Sequence, residues 1–187
     1  MKVYIPEGSF AVLDHGDIPA DTADWSNDLV AVMSVGALIA TGIHTGHVRV
    51  QALTGPPPAA PEEERRMLDE WDEVVEVTVH APTGDLRTES LHTGPVDDLP
   101  LLSAHGSGPY RLRVHARGRD IARDKVRTEP VEDYLLLAWP ASDASGTLIL
   151  RSSAETAETP RTPSPPPIPA DAPGEGQRRH QANFDHL

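Results

Sequence analysis

Two stretches of this chain change chemistry at every second residue. Val75, Val77 and Val79 alternate with Val74, Glu76, Thr78 and His80, and Tyr110, Leu112, Val114 and Ala116 alternate with Arg111, Arg113 and His115. A period of two places successive side chains on opposite faces of a pleated strand, whereas an amphipathic helix repeats every 3.6 residues. Six more short apolar or β-branched runs are bounded by Gly, Pro or Asp: Phe10 to Asp14, Ala37 to Gly42, His47 to Leu53, Leu86 to Leu91, Tyr134 to Trp139 and Thr147 to Arg151. Short strands bounded by turn residues bury their apolar faces by stacking in two layers, so the expected fold is a mainly β, two-layer antiparallel β-sandwich of about eight strands. The two alternating strands are each expected to turn one face to water.

One or two short helices should accompany the sheets. Ser26 to Val35 is expected to be helical, with Asp24 or Ser26 as cap, Asp28 in the first turn, Gly36 as the left-handed exit, and Leu29, Val30, Val32 and Met33 facing the core. A second helical stretch is expected over Glu62 to Asp72, after the loop TGPPPAAP. From Ala154 the chain becomes AETAETPRTPSPPPIPADAPGEGQRRHQANFDHL, too rich in proline and small polar residues to bury a core. The organisation expected is therefore a sandwich domain over 1–151 and a disordered, Pro-rich tail over 152–187. PSPPPIP within that tail could act as a polyproline II ligand.

Charge divides the chain. The 187 residues carry a formal net charge of −13. Residues 1–109 hold five basic and eighteen acidic side chains, a net −13, while Tyr110 to Arg127 holds seven basic and two acidic, a net +5. The remainder holds four basic and nine acidic, a net −5. An acidic surface repels nucleic acid and anionic membrane and attracts basic protein faces. The basic segment contains Asp120 and Asp124 and has only Tyr110 and Tyr134 nearby for base stacking, so it is read as a scaffold strand whose Arg111 and Arg113 meet acidic neighbours on a wet face, not as a nucleic-acid site.

Few features point to catalysis. The sequence has no Cys, which excludes thiolate metal sites, a cysteine nucleophile and disulfides, and suits a reducing compartment. The first residues lack the apolar core of a signal peptide, and no run of eighteen apolar residues is present, so cytoplasmic residence and no membrane partner are expected. G-x-S-x-G, P-loop, H-E-x-x-H and dinucleotide fingerprints are all missing. His44 and His47, three apart on a Gly-containing turn, would need further ligands to hold a metal, and no diagnostic third ligand follows. The expectation is a non-enzymatic protein without cofactor; a metal-dependent enzyme at His44 and His47 is the weakest alternative.

Two acidic groups are candidates for partner binding. One is Asp14, Asp17 and Asp21, with Asp24 and Asp28 assigned to the helix start; the other is Glu62, Glu63, Glu64, Asp69, Glu70, Asp72 and Glu73. Trp25 and Trp139 are expected in the core, and Trp71 lies amid charges.

Taken in order, several landmarks resemble the competence protein J family, inhibitors of the DNA-uptake nuclease. They are the first strand Ser9 to Asp14, then Asp24 and Trp25, then Gly36, Ala37, Leu38 and Ile39 leading into a strand. Val74 to Val79 is similar to the family's central V-x-V strand, Gly108, Pro109 and Tyr110 to its G-x-Y turn, and Asp133 and Tyr134 to its late D-x-Y strand. The resemblance spans roughly residues 8 to 140 and departs in the acidic, proline-rich stretch Pro56 to Glu73 and in the basic segment after Tyr110. It implies a β-sandwich that inhibits a nuclease in the manner of an immunity protein, and it assigns no contact residue. Charge and resemblance together give the expected function, an acidic surface set against the basic cleft of a nuclease. The alternative is a general interaction module whose partner engages the tail.

Overall fold

The computed structural model describes residues 1–141 and 145–153; the proline-rich tail expected from Ala154 lies outside them. All eight expected strands are present, as β2 (Ser9–Asp14), β4 (Ala37–Ala40), β5 (Thr45–Thr54), β6 (Glu73–Ala81), β7 (Leu86–Ser90), β9 (Gly108–Arg117), β11 (Asp133–Pro140) and β12 (Leu148–Arg151). Four others join them: β1 (Lys2–Ile5), β3 (Val30–Val32), β8 (Gly94–Pro95) and β10 (Val126–Arg127). Among the described residues the strands form two sheets. The first runs in the order β1-β5-β11-β9-β6-β12, with β10 also on β5, and the second runs β3-β4-β2-β7-β8. Pairing is antiparallel except that β11 and β10 each lie parallel to β5.

The alternation read from sequence sets the register. Val75, Val77 and Val79 of β6 and Leu112, Val114 and Ala116 of β9 face the second sheet, where Phe10, Val12, Val30, Ala37, Ile39 and Leu86 close the core. Each fully buried Val, Leu or Ile there contributes roughly 1.5–3 kcal/mol relative to exposure. Phe10 packs edge-on against Tyr134, with ring centroids 5.1 Å apart.

The opposite face of the first sheet is wet only in part: His80, Arg49, Gln51 and Leu53 are exposed, but its centre is covered, contrary to expectation. Helix α1 (Pro61–Asp69) lies over it, and Arg111, Arg113 and His115 are buried there along with Val74 and Glu76. The helix starts with Pro61 in its first turn, where a missing amide costs nothing, and three glutamates follow where the helix dipole favours them.

The expected helix over Ser26 to Val35 is replaced by a turn and a strand. The Asn27 Oδ1 accepts the amides of Leu29 and Val30 at 3.0 and 2.7 Å, and its Nδ2 donates to the Val30 carbonyl at 2.9 Å. That side chain closes a local turn at the groups an α-helix would need, and the β-branched Val30 and Val32 then extend into β3. Gly36 is left-handed, with φ at 69°, but it turns the β3–β4 hairpin, and a Cβ there would run into the Val12 carbonyl. Leu29, Val30 and Met33 are buried as expected, with Val32 packed against the core.

Candidate interaction surfaces

Three arginines of the basic segment, Arg111, Arg113 and Arg119, are neutralised inside the molecule, whereas Arg117, Arg123, Lys125 and Arg127 are exposed. Arg111 and Arg113 project from β9 toward the same carboxylate: the Arg111 Nε donates to Glu76 Oε1 at 2.9 Å and the Arg113 Nε to Glu76 Oε2 at 2.8 Å. Arg113 reaches Glu64 of α1 as well, at 2.9 Å, which fastens the helix to the sheet. Arg119 donates to both oxygens of the buried Glu73 at 2.7 and 2.8 Å and to the Asp28 carbonyl at 2.9 Å. Arg117 and Arg49 converge on Asp133. Burial raises the Asp133 carboxyl, but the hydrogen bonds from Arg49 and Arg117 outweigh it and hold it below the ordinary range. Charges removed from water are stable only when paired, so the buried Arg111, Arg113 and Arg119 present no cationic face to solvent.

A second buried polar group closes one end of the core. Glu132 is fully buried; it accepts the amides of Gly42 at 3.0 Å and Ile43 at 2.6 Å and the hydroxyl of Tyr134 at 2.6 Å. Burial, reinforced by the Glu132 charge, pushes the Tyr134 phenol well above its usual value. The Glu132 hydrogen bonds join the β4–β5 loop to the start of β11.

Between α1 and the first sheet lies a groove of about 840 Å³, lined by Arg49, Arg66, Glu63, Glu70, Trp71 and Asp133 among others. Its charges cancel: Arg49 and Arg117 are held by Asp133, and Arg66 shares the helix with Glu63 and Glu70. Arg117 stacks on Trp71, 5.1 Å from the ring centroid, and Trp71 covers His115 at 5.5 Å. His115 is wholly buried. Burial lowers its pKa to about 4, the Leu135 carbonyl partly offsetting this and the Arg113 charge adding to it, so the ring is neutral with Nε2 unpartnered.

The candidate carboxylates divide sharply by position. Asp14 is buried and accepts the amides of Thr83 and Asp85, both at 2.6 Å, so it caps the β6–β7 turn and does not meet solvent. Glu73 is likewise buried on Arg119. Glu64 is held by Arg113, Asp69 pairs with Arg151 at 2.9 Å, and Asp72 accepts the Gly118 amide at 2.9 Å. That leaves Glu62 and Glu63 exposed on α1, Glu70 exposed at its C-terminal cap, and Asp17 and Asp21 exposed on the loop after β2, none with a salt bridge among the described residues. These two sets do not come together. α1 lies on the outside of the first sheet, while the segment after β2 packs Ala23 on Ala11, Leu13 and Met33 at the outside of the second and ends with Asp28 beside Glu73, Ile149 and Arg151 at the edge of the first. A flat partner face can meet one set or the other.

Charge patterning passed over part of the second surface. Asp28, expected at a helix start, instead presents an exposed side chain, as does Trp25, which is 47% exposed where a core position was expected. Ile18 in the same segment is also 47% exposed. The only available signal was DIPADTADWSND, with four aspartates and no cation. Trp139, the other expected core anchor, is half-buried on the outer face of β11, with the Arg113 guanidinium 5.9 Å from its ring centroid.

His44 bonds the Thr45 hydroxyl at 2.8 Å and His47 lies edge-on to Tyr4, and among the described residues no group of three potential metal ligands converges. No helix among them is long and apolar enough to cross a membrane. Fold and surface together define a two-layer β-sandwich with three arginines neutralised in its interior and, among its exposed charges, carboxylates without a salt bridge among the described residues. No family model, no curated protein and no solved structure matches the chain.

Proposed function

We propose that this protein is a non-enzymatic inhibitor that binds a basic protein cleft, a nuclease in the reading suggested by its resemblance to competence protein J, through exposed carboxylates. The observation that carries the proposal is that Arg111, Arg113 and Arg119 are buried on Glu76, Glu64 and Glu73 and that Arg117 is paired with Asp133 at the surface, while Asp17, Asp21, Asp28, Glu62, Glu63 and Glu70 stand exposed with no salt bridge among the described residues. Such a surface steers a cationic partner into encounter and excludes the phosphates of a competing nucleic acid. The test is to titrate the full chain into DNA cleavage by a nuclease encoded beside it. Stoichiometric inhibition that weakens as salt rises is expected; an active nuclease at low salt with no complex on size exclusion would refute the reading. Deleting Ala154 to Leu187 is expected to leave inhibition intact, and its loss would transfer the function to the tail.

A further inference from the structure

Among the three tryptophans, two are engaged by arginine. Trp71 is stacked under Arg117 and Trp139 lies beside Arg113, whereas Trp25 makes no ring or cation contact among the described residues and stands 47% exposed. Exposing an indole forfeits one of the largest apolar burials a side chain can make, and tryptophan is the residue most enriched at binding hot spots. Ile18, equally exposed, lies seven positions earlier on the segment that covers the outside of the second sheet.

The surroundings specify the kind of partner. Asp17 and Asp21 are exposed on the same segment and Asp28 at its end, and no Lys or Arg occurs between Asp14 and Asp28. Two cations approach its end: Arg119 donates to the Asp28 carbonyl while its charge is held by Glu73, and Arg151, paired with Asp69, lines a small pocket with Asp28. The segment is also anchored: Asp24 and Val32 exchange backbone hydrogen bonds of 2.8 and 3.2 Å, and the Ser34 amide donates to the Thr22 hydroxyl at 2.8 Å. Exposed apolar side chains interspersed with one sign of charge on a tethered backbone have the composition of a protein interface. The glutamates of α1 are interspersed with Arg65 and Arg66 and border a groove whose charges cancel.

We infer that the docking face is the Asp17–Asp28 segment on the outside of the second sheet, with Trp25 as anchor, and that its partner is a protein surface bearing Arg or Lys around an apolar socket. The inference rests on the proposed acidic-face function and chooses between the two carboxylate sets. Arginine on such a partner would gain both the aspartates and the indole face.

The test uses the full chain and a synthetic amphipathic peptide of alternating Arg and Leu, with a Glu and Leu peptide as control, followed by calorimetry at low salt. Trp25→Ala is expected to weaken binding of the Arg peptide at least about tenfold, the scale of a single interface hot spot. The triple variant Asp17→Asn, Asp21→Asn, Asp28→Asn should weaken it similarly and flatten its salt dependence. Glu62→Gln, Glu63→Gln, Glu70→Gln should change it less than about twofold, as expected for charges outside the interface. Hydroxyl-radical oxidation of Trp25 should fall in the complex. Binding that survives Trp25→Ala, or that is lost in the α1 variant, overturns the inference while leaving an acidic-face function in place. No binding of the Arg peptide by the unmodified chain overturns the acidic-face reading itself.

Discussion

His115 should make this protein acid-labile. The unfolded chain binds a proton on this imidazole near the ordinary value of 6.5, whereas in the native state burial holds it at about 4. Between those values the unfolded state carries a proton that the native state refuses, so stability falls as pH drops from 6.5 toward 4 and this contribution is complete below it. The gap corresponds to about 3 kcal/mol, at about 1.36 kcal/mol per pKa unit. His115→Phe keeps a ring against Trp71 and removes the titration. Urea unfolding of both proteins across this range should show the variant gaining about 3 kcal/mol relative to the parent as pH falls to about 4. Glu89 acts in the opposite sense. Burial raises its carboxyl above 4.5, so its contribution is present at low pH and lost as pH rises through the raised value. That carboxyl, like Asp133, is common to both proteins and cancels in the difference. A constant offset between the two proteins at every pH would refute the assignment of a neutral, buried His115.

Two further substitutions probe the core. Glu132→Ala leaves the Gly42 and Ile43 amides without their acceptor and the Tyr134 hydroxyl with only the longer bond to the Ala40 carbonyl at 3.3 Å, and should cost at least about 3 kcal/mol in urea unfolding, since bonds to a charged group contribute about 1.5–3 kcal/mol each; a loss below about 1 kcal/mol would contradict the geometry. Gly42→Ala places a Cβ on the Arg119 carbonyl, a backbone group that cannot move aside. It should destabilise by more than about 2 kcal/mol, as overpacked sites do, whereas Gly146→Ala, which meets nothing within 4 Å, should stay within about 0.5 kcal/mol by thermal melting.

The alternation of Val75, Val77 and Val79 and of Leu112, Val114 and Ala116 was legible because side-chain direction in a strand is a local property of the backbone. The same holds for the turns that bound the eight expected strands and for Pro61 at the start of α1. What Asn27 does was not legible, because a residue that caps helices also closes turns, and the balance between Val30 in a helix and Val30 in β3 is decided by pairing with Ala37–Ala40. Lys2–Ile5 and Val126–Arg127 are too short to announce themselves and become strands only because β5 offers them an edge.

The sequence by itself determined that this chain forms two apolar sheet faces, that its charge is unevenly placed, and that Arg111 and Arg113 share one face of one strand. Tertiary structure alone decided that this face is covered by α1 and by the Ser145 and Gly146 carbonyls, that Glu76, Glu64 and Glu73 neutralise Arg111, Arg113 and Arg119, and that Asp14 is sealed on the Thr83 and Asp85 amides while Asp17 and Asp21 remain in water. It also left Trp25 exposed. The reason is one of range: side-chain alternation is fixed by neighbouring residues, but burial of a charge depends on which carboxylate, amide or helix arrives from a distant part of the chain.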